Sequence, residues 1–289
     1  MAHRSNGVSA LSRAVQVLDT FSPDAPTQTL KEISQRSALP TSTAHRVVGD
    51  LVDNGLLERL ADRTYRVGNR LWELGSRTPG AVGLREIAMP YIHGVQARVR
   101  QHTQLLIRAD LDVLVVDRLS ARDAIVNASI IGGRHPLQHS SSGIVLLAFA
   151  QDDAVERILE RGLKPVTASG IQSRSELVEV LARVRHDGFA VSEGYLHPTS
   201  RGIAAPVRGA QDVVVGAIGV VVPNNGSDVA EISVLLRHAA QRISDDLLRC
   251  YLPPEHPDAR PGGSFRQMVR SSEQSMEFLA HHDGFSQAE

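Results

Sequence analysis

The sequence predicts an α+β fold in two parts: an N-terminal winged helix-turn-helix, then a linker helix leading into a C-terminal α+β module. Three observations predict it. Apolar residues recur at helical spacing in three blocks between residues 10 and 56, and a short hairpin pattern with turn residues follows. Beyond residue 102 the period switches repeatedly between strand and helix. The expected boundaries are 1–68 for the winged helix-turn-helix, 69–82 for the linker helix, 83–252 for the second module and 253–289 for an extension. Its proline and glycine content reads as flexible.

The first helix is expected in "SALSRAVQVLDTF", with Leu11, Ala14, Val15, Leu18 and Phe21 inward. Thr29 precedes the second as an N-cap, and Glu32 three residues on completes a capping-box pattern; Leu30 and Ile33 face the core. After "ALP" comes a longer third helix, opened by Pro40 and Thr41 and closed by Asn54-Gly55. Ala44, Val47, Val48, Leu51 and Val52 form its apolar face. A short helix, a tight turn and a longer helix make a helix-turn-helix. "LLERL" and "TYRV", flanking "AD" and Arg63, read as the hairpin of a wing.

The third helix poses the functional question, because its outer face gathers Thr41, Ser42, Thr43, His45 and Arg46 in its first two turns. In a helix-turn-helix those turns meet the major groove, where hydroxyls and backbone N–H groups hold phosphates and arginine reads guanine. Arg59, Arg63 and Arg66 on the wing are placed for backbone phosphates, and Thr29 at the second helix start joins the set. The plainer alternative, a solvated amphipathic face, fits any one of these residues alone; three helices plus a wing together favour double-stranded DNA. Global charge gives little help. The net charge is −1, and residues 1–77 hold only ten Lys/Arg against eight Asp/Glu.

Leu71, Trp72 and Leu74 suit the linker helix. Past it, "TQLLIRA", "DVLVVDRLS" and "AIVNASII" read as strands, and "SGIVLLAFA", "DDAVERILE" and "SELVEVLARVRHDG" as helices. "FAVSE", "GIAAPVR" and "VVVGAIGVVVP" are further strands, and an amphipathic helix from Val229 to Leu248 closes the module, turning Ile232, Leu235, Leu236, Ala239 and Ile243 inward. The pattern resembles a GAF or PAS sensor module. A single cysteine, Cys250, excludes a disulfide framework and suits a reducing, cytoplasmic setting. The longest apolar run is too short to span a bilayer, so no membrane partner is expected.

At "LPTSTAHRVVGDLVDNGLL", "YRVGNRLWELG", "GGRHPLQHSSSGIVLLA", "VRHDGFAVSEG" and "GIAAPV", in this order, the chain resembles the IclR-type bacterial transcriptional regulators over about residues 8–250. The resemblance implies a homodimer or dimer of dimers and a C-terminal module whose small-molecule effector alters operator binding. It also implies an effector site at the helix start His139–Gly143. There the backbone N–H groups of Ser140, Ser141, Ser142 and Gly143 face a carboxylate, as an exposed helix N-terminus does. One of these serines is expected to cap the helix. Asn127 and His135 align near the cavity, as do Ser192 and Glu193. Gly202, Gly219 and Val221 stand where relatives carry larger or more polar side chains. These positions predict a roomier, less polar wall and an effector that is an organic acid or aromatic metabolite larger than a small keto acid.

No catalytic residue, cofactor or metal site is expected. His139 beside three serines lacks a G-x-S-x-G elbow, no phosphate-binding glycine loop occurs, and His281-His282-Asp283 lack partners at ligand spacing. The competing reading is a metabolite-binding or hydrolytic domain whose winged helix serves only dimerisation.

Overall fold

The computed structural model describes residues 9–22, 24–75, 79–226 and 228–250, with only the backbone of 79–82 and 250. The chain divides into two compact units, residues 1–78 and 79–289.

In the first unit, α1 (Ala10–Leu18), α2 (Leu30–Arg36) and α3 (Thr41–Asp53) precede β2 (Leu57–Arg59), β3 (Tyr65–Val67) and α4 (Asn69–Gly75). The capping box forms as expected: Thr29 Oγ1 accepts from the Glu32 N–H while Glu32 accepts from the Thr29 N–H. The core joins Val17, Ile33, Val47, Val48, Leu51, Leu57 and Tyr65, with Ala14, Leu18, Phe21 and Val52 packed against it. Burial of an aliphatic side chain contributes about 1.5–3 kcal/mol, so α2 and α3 hold each other through these contacts rather than by helix propensity.

Two expectations need correction here. Leu11 and Val15 are exposed and Val17 is buried. Leu11-Val15-Leu18 and Ala14-Val17-Leu18-Phe21 are overlapping stripes on one helix, and the core takes the second. The wing also gains a strand that the periodicity did not reveal: β1 (Thr27–Gln28) pairs antiparallel with β3, giving the order β1-β3-β2. Two residues are too few to show a period. Gln28, buried, anchors this edge by donating to the Thr20 carbonyl at 2.7 Å.

The second unit is a six-stranded antiparallel sheet between two helical layers. Its elements are α5 (Pro79–Val99), β4 (His102–Ala109), β5 (Asp112–Leu119), β6 (Arg134–Pro136), α6 (Ser141–Ala148), α7 (Ala154–Arg161), α8 (Arg174–Asp187), β7 (Ala190–Glu193), β8 (Ser200–Arg208), β9 (Val214–Pro223) and α9 (Val229–Cys250). The strand order is β6-β5-β4-β9-β8-β7. One face packs on α5 and α9 through Ile92, Leu105, Ile203, Ile218, Val220, Leu236 and Ile243. The other packs on α6, α7 and α8 through Leu106, Val113, Ile144, Leu147, Ile158, Leu177 and Leu181. Every residue of α6 is buried, which explains why its sequence is apolar all round.

The expected strand "AIVNASII" is irregular backbone instead; the strand here is β6, three residues later. The reason lies in its hydrogen bonds, several of which go to side chains rather than to a ladder. Gln101 accepts from the Ile125 N–H at 2.9 Å, and Asn127 Oδ1 accepts from the Ser129 N–H at 2.9 Å. His102 donates from Nε2 to the Ile125 carbonyl, and Arg118 donates to the Ser129 carbonyl. The linker expected over 69–82 falls on α4 and the start of α5, with 76–78 outside the described residues. The extension 253–289, including His281-His282-Asp283, also lies outside them.

Candidate DNA-reading helix and effector cavity

The inner edge of α3 is buried at Ala44, Val47, Val48 and Leu51, so its outer edge must face away from the core. Ser42, His45 and Arg46 are exposed on it, and Thr43 is half-buried. Thr41 is exposed too, but its hydroxyl lies 3.2 Å from that of Ser34, which donates to the Leu39 carbonyl at 2.8 Å. Thr41 therefore also fixes the turn between α2 and α3. Arg46 stands 4.0 Å from Asp50, with both side chains more than half exposed. Such a surface pair is worth about 0–1 kcal/mol, so Arg46 is easily released to another partner.

The other predicted DNA contacts divide. Thr29 spends its hydroxyl on the capping box, where it donates to Glu32 at 2.8 Å. Arg66 is tied to Glu58, directly opposite it in the wing ladder, at 2.8 Å. Arg59 lies over the Tyr65 ring, 5.9 Å from its centroid. Arg63 is exposed at the wing tip with φ +66°, held there by a turn in which Asp62 accepts from the Thr64 N–H and hydroxyl at 3.0 and 2.7 Å. Those two bonds, the hydroxyl's first, hold the Asp62 carboxyl below its ordinary value, keeping an acid beside the arginine.

The second site is built around the start of α6. A 3₁₀ turn, Leu137–His139, delivers the chain to Ser140, whose Oγ caps the helix by accepting from the Gly143 N–H at 3.2 Å. His135 Nε2 lies 2.8 Å from the same Oγ. Burial, with the nearby His139 adding to it, depresses the His135 imidazole to about 4. It is therefore neutral near pH 7, within hydrogen-bond distance of the hydroxyl that caps the helix. Ser141 offers its N–H to Ser192 Oγ at 3.1 Å, which joins α6 to β7. Gly143 has no room for a side chain: a Cβ there would lie 2.1 Å from the Leu137 carbonyl oxygen.

These contacts enclose a cavity of about 30 Å³. Among the predicted residues, Asn127, Ser140, Ser141, Ser192, Gly202 and Val221 line it. His135, Ser142, Gly143, Glu193 and Gly219 do not. His135 and Gly143 act through Ser140, and Glu193 is paired with Arg201 at 2.9 Å. Ser142 is fully buried against Gly219, its hydroxyl without a hydrogen-bond partner among the described residues.

The expectation of a roomy, apolar wall does not hold. A Cβ on Gly202 would stand 2.7 Å from both Ser141 Oγ and Ser192 Oγ, and one on Gly219 would stand 2.7 Å from Ser142 Oγ. The space freed by the two glycines is filled by the first turn of α6, which approaches the sheet there. The remaining wall is polar. It includes His139, at the helix start expected for the effector site, and Gln104, Ser129, His197 and Ser200, with Tyr195 and Leu196, which sequence reasoning did not assign. Gln104 carried a signal, as a lone amide inside an apolar strand, and Tyr195–His197 sit in a polar break between two strands.

Comparison with known proteins follows the same division. Residues 10–61 match the IclR helix-turn-helix domain, and residues 79–245 match the bacterial transcriptional regulator IclR C-terminal domain. The chain belongs to the IclR family. It is accordingly a DNA-binding transcriptional regulator with a helix-turn-helix domain and a C-terminal ligand-binding domain. Among family members of known structure, it resembles an IclR homolog from Microbacterium hydrocarbonoxydans complexed with 4-hydroxybenzoate. The two are 40% identical with a TM-score of 0.79, over 83% of this chain and 99% of that one. The HTH-type transcriptional regulator XynR of Escherichia coli (strain K12) is 26% identical, over 78% of this chain and 90% of its own. The Pca regulon regulatory protein of Pseudomonas putida is 25% identical, over 74% of each. No helix among the described residues is long and apolar enough to cross a membrane, and these residues contain no cluster suited to a metal ion.

Proposed function

We propose that this regulator reads double-stranded operator DNA with Ser42, His45 and Arg46 of α3, and that an aromatic carboxylate of the hydroxybenzoate class controls its operator affinity. It acts in the cytoplasm as a homodimer or dimer of dimers. The observation that carries the effector assignment is the polar cavity at the α6 N-terminus, where the Ser141 N–H is held by a serine hydroxyl. A carboxylate is the stronger acceptor and benefits from the helix dipole, so it takes the place of Ser192 Oγ. The 40% identical homolog complexed with 4-hydroxybenzoate supports the aromatic ring. A 30 Å³ cavity has room for about one or two waters, so entry of the ring requires the β7–β8 connection bearing Tyr195, Leu196 and His197 to swing outward. Exposed Leu11, Val15, Trp72 and Leu74 in the first unit supply apolar area for self-association.

The test is a thermal-shift titration with 4-hydroxybenzoate, benzoate and pyruvate, paired with fluorescence anisotropy on DNA upstream of the gene. The expected result is a saturable rise in Tm with 4-hydroxybenzoate and a change in DNA affinity at the same concentrations. A response to pyruvate but to neither aromatic acid would overturn the effector class.

A further inference from the structure

On the side of the sheet away from the effector cavity lies an open groove of about 650 Å³, between the end of α5, the end of β9 and the first three turns of α9. Val99, Val222, Pro223, Ile232, Val234 and Leu235 give it an apolar floor, and Val234 is 58% exposed. The rim is charged and mixed: Asp228 and Glu231 at the start of α9, with Arg98 and His238. The floor is apolar and opens to solvent at Val234.

The chain carries a matching segment. In "FRQMVRSSEQSMEFL", Phe265, Met268, Val269, Met276 and Leu279 fall at helical spacing, with Phe278 on the opposite face. At about 100° per residue they form a stripe about 100° wide, and Arg266, Arg270, Glu273 and Glu277 all fall along one flank of it. The arginine pair and the glutamate pair are about 10 Å apart along such a helix. Asp228 and Glu231 are separated from His238 by about 13 Å along α9. Laid parallel to α9, the segment sets its arginines against the acids and its glutamates toward His238.

Reach is sufficient. Returning from Cys250 to the start of α9 takes about 32 Å along the helix. The fourteen intervening residues, 251–264, contain Pro253, Pro254, Pro257 and Pro261 and extend to about 43 Å as a proline-rich linker. We propose that Phe265–Leu279 forms a helix that docks in the α5–β9–α9 groove of its own chain. A tether of this length holds the segment at an effective concentration of about 1 mM, so even a contact of millimolar strength is substantially occupied. The segment lies beyond the part of the chain that matches the family domain, residues 79–245.

The full-length protein with Cys250→Ser, its only native cysteine removed, tests this through single introduced cysteines. Val234→Cys reports on the groove, and Val178→Cys, 48% exposed on α8, reports on a surface outside it. Maleimide labelling at position 234 is expected to accelerate about twofold or more when Phe265→Asp and Met268→Asp are added, corresponding to release of a tail docked at least about half the time. Labelling at 178 is expected to stay constant. Equal rates at 234 with and without the tail substitutions would overturn the proposal. So would protection at 234 that grows with protein concentration, which would assign the groove to a second copy of the chain.

Discussion

His135 makes the stability of the second unit depend on pH. Its imidazole is depressed to about 4 from an ordinary value near 6.5, by burial first and by His139 second. Between those two values the unfolded chain binds a proton that the folded chain refuses, so stability rises with pH across this window. The neutral state is fully retained above about pH 6.5, and its stabilising advantage is lost as pH falls toward 4. From pH 7 to pH 5 the loss works out at about 2 kcal/mol for this one group. Protonation would also place a charge beside the Ser140 hydroxyl that caps α6. His135→Gln keeps a polar side chain there but cannot titrate. His102 is also depressed by burial, so the readout is the difference between parent and variant rather than the parent alone. Urea denaturation followed by circular dichroism at pH 7 and pH 5 measures it. With a slope of about 2 kcal/mol/M, the parent's midpoint should fall by about 1 M more than the variant's. Parallel losses in the two proteins would show that His135 is not held neutral by the fold.

The remaining predictions follow from space and charge. Gly143→Ala puts a Cβ 2.1 Å from a backbone oxygen, which a rotamer change cannot relieve. It should destabilise the second unit by about 3 kcal/mol, seen as a lower melting temperature. Gly49→Ala meets nothing within 4 Å inside α3 and should stabilise the first unit by about 1 kcal/mol, also measured by denaturation. Arg63→Ala should reduce the salt dependence of DNA binding by about one unit. Arg66→Ala should reduce it less, because Glu58 already neutralises that arginine; equal slopes would show that the wing pair opens on DNA.

Much of the fold was legible because burial writes periodicity into the chain. The inward face of α3, most of that of α9 and the capping box at Thr29 all follow from residue spacing. What was not legible depends on partners distant in sequence. Whether Leu11 or Val17 faces inward on α1 is decided by α3, and "AIVNASII" leaves the sheet because Gln101, His102 and Arg118 satisfy its backbone. The candidate effector cavity shows the limit most clearly. Ser140 and Ser141 could be placed from the helix start, but Gly202 and Gly219 read as missing side chains and therefore as space. In the fold they mark where α6 presses onto the sheet, and serine hydroxyls occupy the volume.

The central claim is that the outer edge of α3 reads DNA, and Arg46 tests it most directly. A bidentate arginine–guanine contact is worth about 1–3 kcal/mol of discrimination. Arg46→Ala should therefore weaken binding to the upstream DNA of the gene by about tenfold or more in fluorescence anisotropy, with an unchanged circular dichroism spectrum and melting temperature. Its affinity for unrelated duplex should change much less. If Arg46→Ala binds the specific site as tightly as the parent, α3 is not the reading helix.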